Sequence, residues 1–431
     1  MKILDTKNKN DLNSLFALFN RDAYPKQIEK ELSLILEEVA QKGDKAVAKF
    51  ARKFDGIELQ KDMFRIKEDE FKEAEKNLND EVKKSILFAI NNIQDFAKRQ
   101  IPKSYRFSPR KGVILGEKFT PLNRVAVYIP GGTAPLVSTA IHTIAIAKIA
   151  GVKEIVATTP PGEKGKIPDA ILFAMKNAGI TEAYRLGGVY GIAALAYGTE
   201  SIKKVEKIVG PGNAYVTAAK KMIYGKTGID MVAGPSEIMI IADSSAKSKF
   251  IAADLLSQAE HGSGFEQSVL LTNDKKLIEK TAHEIEKLSN DIIKKSKPLK
   301  KVIENGLFLV LVRNLEEAAK IASEYAPEHL EILCENPERV ANKISAAGAI
   351  FIGCWTPEAV GDYVAGPSHV LPTGGTAKFF NGLSTEHFFR RSSIIKYSKD
   401  ALKKESNAIM KIAELEGLDA HKLSVKLRVE S

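Results

Sequence analysis

Arg124-Val125-Ala126-Val127-Tyr128-Ile129-Pro130-Gly131-Gly132-Thr133-Ala134-Pro135 is an apolar run closed by a turn of proline and glycine. Its valines, isoleucine and tyrosine predict a buried strand, and the turn residues predict where it stops. The apolar segment up to Ala150 predicts a helix, and Glu154-Ile155-Val156-Ala157-Thr158 predicts the next strand. The unit recurs as helix 169–178, strand 183–186, helix 191–197, strand 205–209, helix 214–224 and strand 237–241. Strands that alternate with helices in this way build a parallel sheet covered by its crossovers, a Rossmann-like α/β layer.

Outward from that stretch, a second series follows. Strands 268–271, 307–312, 330–333 and 349–352 alternate with helices near 275–296, 314–325 and 336–344. Upstream, Asp11-Leu12-Asn13-Ser14-Leu15-Phe16-Ala17-Leu18-Phe19 is a short amphipathic segment that needs a partner surface to be stable. Ile28, Leu32, Ile35, Leu36 and Val39 recur at helical spacing, with Gly43 as the stop. Another helical pattern runs from about 69 to 100, and short strand-like pieces follow with turns at Ser108-Pro109 and Pro121. From about 380 the chain turns polar and helical again. The expected fold is thus α/β, with two Rossmann-like parallel-sheet domains. The expected division is an N-terminal helical arm over 1–24, a discontinuous first α/β domain over 25–127 and 238–380, a second over 128–237, and a C-terminal helical segment over 381–431.

Length and composition set bounds on function. A chain of 431 residues, 44% hydrophobic and 27% charged, has the balance of a soluble globular protein with two or three domains. Met1-Lys2-Ile3-Leu4 is followed at once by Asp5, Lys7 and Lys9, so no signal peptide is expected. The longest apolar run, 134–152, carries His142 and Lys148 and reads as a buried helix, with no membrane partner. Cys334 and Cys354 give no disulfide framework, which suits a reducing cytoplasm. The net charge of +10 comes from lysines scattered among glutamates, as in Lys72-Glu73-Ala74-Glu75-Lys76, with no basic block interleaved with aromatics. That pattern is a solvated surface and predicts no nucleic-acid partner.

The residues that carry chemistry lie mostly at turns. Pro130-Gly131-Gly132-Thr133, Gly187-Gly188 and Gly210-Pro211-Gly212-Asn213 follow strands, where open α/β sheets bind ligands and bare backbone can approach a pyrophosphate. No Gly-x-Gly-x-x-Gly with an acidic ribose partner follows any of them, and the glycines equally suit the turns themselves. Asp230-Met231-Val232-Ala233-Gly234-Pro235-Ser236-Glu237 is a further strand-edge turn, with the Ser236 hydroxyl available to a ligand. In Leu255-Leu256-Ser257-Gln258-Ala259-Glu260-His261-Gly262, at the end of a helix opening near Ser245, Gln258 and His261 leave one face. They are either half of a zinc site with nitrogen and oxygen ligands or a helix end that meets water. Glu328 and His329, side by side before a strand, point in different directions and suit two separate proton transfers, or else form a surface pair. Asp362 and His369 fall in a loop after a helix begun by Thr356-Pro357-Glu358, as a hard ligand and a substrate donor. Glu416 and His421 stand five apart near the end. His142 reads as a satisfied core residue, His283 lies on a charged helix, and His387 shows no partner.

Taken together, Pro130–Pro135, Gly210–Asn213, Ala233–Glu237, Ser257–Gly262, Ala326–Leu330, Gly361–Tyr363 and Glu416–His421 closely resemble histidinol dehydrogenase, in order and in register from about residue 25. The resemblance implies a homodimer with a shared active site, 381–431 being the dimerisation segment. It implies one Zn2+ per subunit on Gln258, His261, Asp362 and His421, the last given by the other subunit. It also implies NAD as oxidant, contacted by Tyr128, Tyr190 and Asn213, and L-histidinol as substrate. Ser236, His369 and Glu416 match substrate-contacting positions beside the metal ligands and His329. The family's proton-transfer pair falls on Glu328 and His329: His329 takes the alcohol proton as hydride leaves, and Glu328 then activates water against the bound aldehyde. His329 acts again in the second oxidation, giving L-histidine and two NADH.

One position departs from the pattern. Tyr190 stands where the family usually carries glutamine, and a phenol is expected mainly to stack or donate where an amide would also accept. Three other readings compete. A cysteine-dependent aldehyde dehydrogenase would use Cys354, though Ala349–Trp355 reads as the end of a buried strand. A zinc hydrolase would act without NAD, and a basic nucleic-acid-binding protein would show steeply salt-dependent affinity. None of the three accounts for the motifs in register.

Overall fold

The structure is a computed structural model that describes residues 1–131, 135–293 and 297–431. Residues 132–134 of the first glycine turn and 294–296 of the expected helix near 275–296 therefore lie outside the described residues.

Five parallel strands form one sheet, in the order Glu182–Tyr184, Glu154–Thr158, Arg124–Tyr128, Lys207–Val209, Gly228–Ile229. The earliest strand sits in the middle, and later strands extend the sheet on both sides. The order therefore reverses between Arg124–Tyr128 and Lys207–Val209, which leaves a crevice beyond their carboxyl ends. Side chains alternate across the sheet. Val125, Val127 and Ile129 enter one core, whereas Ala126 and Tyr128 enter the other.

Six parallel strands form the second sheet, in the order Lys2–Asp5, Leu307–Leu311, Gln267–Thr272, Glu237–Ala242, His329–Leu333, Ala349–Ile352. Met239 and Ile241 face one core, and Ile238, Ile240 and Ala242 face the other. The two expected parallel layers are both present.

Three expectations are corrected. Residues 1–24 are not helical throughout, because Lys2–Asp5 pairs with Leu307–Leu311 as an edge strand ahead of the helix Lys9–Ala17. Nor is the core of 25–127 mainly that of 238–380: although Val370 joins the Phe71 cluster, the helices of this stretch pack on the five-stranded sheet. Leu32, Ile35, Leu36 and Val39 pack under Ala126 and Tyr128, while Phe71, Ile86, Ile90 and Ile93 pack under Val125 and Val127. These helices cover both faces of the five-stranded sheet, and the boundary at 127 cuts its central strand. Periodicity reveals an apolar face but not which surface it will cover. Finally, Tyr105–Arg110, Val113–Pro121 and Phe389–Tyr397 form a small antiparallel sheet. Ser108 and Pro109 sit at its bulge, and the C-terminal segment opens with a strand before its helices Lys399–Leu415 and Asp419–Glu430. The pattern from 69 to 100 is two helices, Glu68–Asn77 and Asp80–Arg99, the second capped by the Asn79 side chain on the Val82 N–H.

The connection 230–236 runs from the carboxyl end of Gly228–Ile229 to the amino end of Glu237–Ala242. The carboxyl edge of the five-stranded sheet therefore leads directly to the amino edge of the six-stranded one. Within that connection the Thr217 hydroxyl donates to the Ala233 carbonyl at 2.9 Å, and the Gly234 N–H donates to Thr373 Oγ1. Among the described residues, no helix is long and apolar enough to cross a membrane.

Candidate active site

Parallel pairing sets His329 opposite Ile238, which brings Glu328 beside the start of the neighbouring strand. The Glu237 backbone then holds both residues: its N–H donates to Glu328 Oε2 at 3.0 Å, and its carbonyl lies 3.1 Å from His329 Nδ1. Both side chains are buried, so neither is the surface pair that a lone Glu-His suggests. With Nδ1 engaged, Nε2 is the ring nitrogen left to face a substrate; it is buried, has no hydrogen-bond partner among the described residues and lies 3.7 Å from Asp362.

Gln258 lies in the last turn of the helix Ser248–Ala259, and His261 directly follows the Glu260 cap. One ligand atom each from His261, Glu358 and Asp362 lies within 4.8 Å of the others. The Gln258 amide is best oriented with Nε2 inward, where its two N–H groups reach the Glu237 carbonyl at 3.1 Å and Glu358 Oε1 at 3.0 Å. That orientation turns Oε1 to the position 3.4 Å from His261 Nδ1, toward the cluster. Asp362 lies on the short helix Glu358–Tyr363 rather than in a loop after it. Glu358, read from sequence only as the opening of that helix, is buried and accepts the Ser257 hydroxyl at 3.0 Å. A helix-opening acid is too common a feature to have marked it.

The charges are unbalanced toward the negative. Burial opposes a charge on His329, but Glu328, Glu358 and Asp362 outweigh it and raise the imidazole to about 10. Burial likewise pushes Glu328 up to about 8, against the pull of His329. Burial also works against ionised Asp362, yet the His329 contact and the neighbouring histidines hold it at about 2. Three carboxylates around one imidazole, with a further imidazole and an amide oxygen at hand, are a donor set that fits a divalent cation of the zinc type. Such a cation also offsets the carboxylates that keep His329 protonated, returning it toward the neutral form that a base requires.

His369 joins this group. Burial pushes it down to about 4, with Asp362, His329 and His261 acting on it as well, and its Nε2 has no partner among the described residues. Its backbone N–H donates to His142 Nδ1 at 3.3 Å, which makes His142 a support for His369 in the core. Ser236 is half-buried one residue before Glu237. Glu416 and His421 are exposed on the C-terminal helices and do not join the cluster within one chain. His387 is not partnerless, since its Nδ1 accepts the Ser384 N–H at 3.1 Å. Cys354 is exposed, not the buried end of a strand: Ala349–Ile352 stops two residues earlier.

The crevice of the five-stranded sheet carries the other expected residues. Tyr128 ends the central strand, and its hydroxyl accepts the Gly188 N–H at 3.2 Å. Tyr190 accepts the Gly187 N–H at 3.0 Å and donates to Asp55. Burial, with Asp55 alongside, holds Tyr190 above the usual phenol range, so it stays a donor. The phenol thus both donates and accepts, as the amide it replaces would. Asn213 caps the helix Ala214–Ile223 by accepting the Tyr215 and Val216 N–H groups at 3.1 Å. Gly188, at φ +49°, has open space where a Cβ would stand, so backbone there is accessible to a bound group. A crevice at a switch point, with accessible glycine and two helix N-termini, fits a dinucleotide.

Comparison with known proteins agrees with this geometry. The family profile described as histidinol dehydrogenase matches residues 20–429. The chain is 43% identical to histidinol dehydrogenase of Carboxydothermus hydrogenoformans, covering 98% of this chain and 99% of the relative. It is 44% identical to that of Listeria monocytogenes, over 100% and 99%. The crystal structure of histidinol dehydrogenase from Elizabethkingia anophelis superposes with a TM-score of 0.92 at 34% identity, covering 100% of this chain and 98% of that one. With two parallel sheets, a buried Glu-His pair and a matching profile from end to end, the chain belongs to the histidinol dehydrogenase family.

Proposed function

We propose that the chain catalyses the zinc-dependent, NAD-linked four-electron oxidation of L-histidinol through L-histidinal to L-histidine, the last steps of histidine biosynthesis. The observation that carries this reading is the convergence of buried Glu328, His329 and Gln258 with half-buried Asp362 and exposed His261 at one edge. Bound there, zinc supplies a Lewis-acid anchor for the imidazole and amino groups of the substrate, and bound NAD supplies the hydride acceptor.

The chain's own residues do the rest. Gln258, His261 and Asp362 hold the metal, with His421 of the partner subunit as the fourth ligand. Ser236, His369 and Glu416 orient the substrate. His329, at Nε2, takes the proton of the alcohol in the first oxidation. Glu328, in its ionised form a stronger base because burial raises its carboxyl, accepts a proton from the water that adds to the aldehyde. His329 serves again as base in the second oxidation. Tyr128, Tyr190 and Asn213 line the cofactor crevice. Exposed Ile412, Leu415, Leu418, Leu423 and Leu427 on the C-terminal helices support a homodimer built through 381–431. The free thiols Cys334 and Cys354 support a reducing, cytoplasmic setting.

The test is the NADH formed per L-histidinol consumed by zinc-loaded protein in excess NAD. Two NADH, abolished by chelator and restored by zinc, is the expected result. One NADH with free aldehyde would remove the second oxidation, and none would sink the reading.

A further inference from the structure

We infer that Arg21 is a positioning residue for the Glu328–His329 pair, acting from the N-terminal arm through Glu237 and the Tyr325 carbonyl. The inference rests on the proposed oxidation of histidinol.

The Arg21 side chain is only 7% exposed, and its Nη1 pairs with Glu237 Oε2 at 2.9 Å. Nη2 donates to the Tyr325 carbonyl at 2.6 Å, and Arg21 Cζ lies over the Tyr325 ring, 3.6 Å from its centroid. The guanidinium thus touches both segments that meet at the reactive pair, by a hydrogen bond to the Tyr325 carbonyl and by an ion pair, not aligned as a hydrogen bond, to Glu237. On one side is Glu237, whose N–H holds Glu328 and whose carbonyl faces His329. On the other is the connection Tyr325-Ala326-Pro327 that delivers Glu328. Ala326 sits at φ +53°, a left-handed conformation unfavourable for any residue with a Cβ. A strained link just before a catalytic pair persists only if its surroundings hold it, and the bond to the carbonyl before it does so.

Glu237 itself is buried, with the Gly374 N–H at 2.9 Å on its other oxygen. Burial pushes its carboxyl up to about 7 even beside Arg21. Without the guanidinium, Glu237 loses the cation that fixes its side chain, and its backbone loses the orientation that serves Glu328 and His329. The arm reaches this point because Lys2–Asp5 is anchored in the sheet and Phe19 packs edge-on against Tyr325 at 5.5 Å.

The experiment compares full-length, zinc-loaded Arg21→Ala and Arg21→Lys with wild type in steady-state oxidation of L-histidinol, with and without methylguanidinium. A lysine keeps the charge but has no fork to span both partners. In Arg21→Ala, kcat is expected to fall about 10- to 100-fold, as for a displaced reactive group, with KM and zinc content within about threefold of wild type. Methylguanidinium should recover part of that loss, and Arg21→Lys should fall between the two. Wild-type kcat in zinc-loaded Arg21→Ala would overturn the inference, as would a loss that follows only the folded fraction and ignores methylguanidinium. If Arg21→Ala does not fold, an unchanged kcat in Arg21→Lys overturns it. A wild type that produces no NADH from histidinol sinks the underlying reading first, and is told apart by that control.

Discussion

The two sheets present opposite edges to the same region, and the edges are built from different chemistry. At the carboxyl edge of the five-stranded sheet, phenols and an asparagine side chain satisfy backbone N–H groups: Tyr190 at Gly187, Tyr128 at Gly188, Asn213 at Tyr215 and Val216. Charge there is sparse and is held behind the surface, as in the buried Lys220–Asp230 pair at 2.5 Å under the Gly210 turn. At the amino edge of the six-stranded sheet, Glu237, Glu328, His329 and Glu358 are all buried, with Asp362, His261 and His369 beside them. Parallel sheets ordinarily bind ligands at their carboxyl ends. Here one sheet has its crevice at that end, and the other carries its titratable groups at the opposite end. The neutral edge is suited to hold a large ligand without reacting, and the charged edge is suited to move protons.

The sharpest test of that division is Glu328→Gln. The amide keeps an acceptor for the Glu237 N–H, so the fold is expected to survive. Loss of the carboxylate should lower the aldehyde-oxidising step by roughly 10²- to 10⁴-fold, the usual scale for a general acid-base group. Zinc content and NAD affinity, measured by metal analysis and cofactor titration, should stay near wild type. A parallel loss of NAD affinity would mean that the two edges are not separate in function.

Glu358→Gln comes next, with a smaller effect on a different readout. Its carboxylate accepts the Ser257 hydroxyl and stands 3.0 Å from the Gln258 amide nitrogen. An amide retains one acceptor but turns a donor toward the other partner, so Gln258 loses its orientation. Support of this kind around a metal typically contributes 10- to 100-fold in affinity, and chelator competition should show a loss on that scale. Zinc affinity equal to wild type would remove Glu358 from the site.

The two edges also differ in how far they could be read from sequence. The neutral edge is local: strand, glycine turn and helix follow one another within a dozen residues, so Tyr128 and Gly210–Asn213 lie where the pattern puts them. The charged edge is assembled from distant segments. Gln258, His261, Glu328, His329 and Asp362 stand out in the sequence because they fall in motifs that resemble the family's, whereas Glu358 and Arg21 lie in ordinary surroundings and meet the group only through tertiary contact. The placement of 25–127 is hard to read for the same reason: a helical stripe such as Leu32, Ile35, Leu36 and Val39 does not name the sheet it will cover. Tyr190 shows the converse. Its hydroxyl was expected mainly to donate, and the fold gives it Gly187 to accept from as well.

Tyr190→Phe probes the neutral edge alone. It deletes the bonds to Asp55 and Gly187, and because Asp55 is half-buried its carboxylate can regain water. The cost is expected at about 1 kcal/mol in denaturant unfolding. Zinc content should not change, and a variant that lost metal would tie this turn to the charged edge.

The smallest effect is expected from Cys354→Ser, and it decides between two chemistries. A thioester route needs a thiol at the edge that carries His329. Strand Ala349–Ile352 runs parallel to His329–Leu333 with Ala349 opposite His329, so Cys354 lies past the other end of that strand. It is exposed, in a turn, with no place in the cluster of His261, Glu358 and Asp362. An exposed cysteine-to-serine change of this kind typically alters stability by less than about 0.5 kcal/mol. NADH yield per histidinol should remain at the wild-type value in the same assay. A collapse of the second oxidation in this variant, with the first intact, would move the aldehyde chemistry to the far edge of the sheet and leave Glu328 without its task.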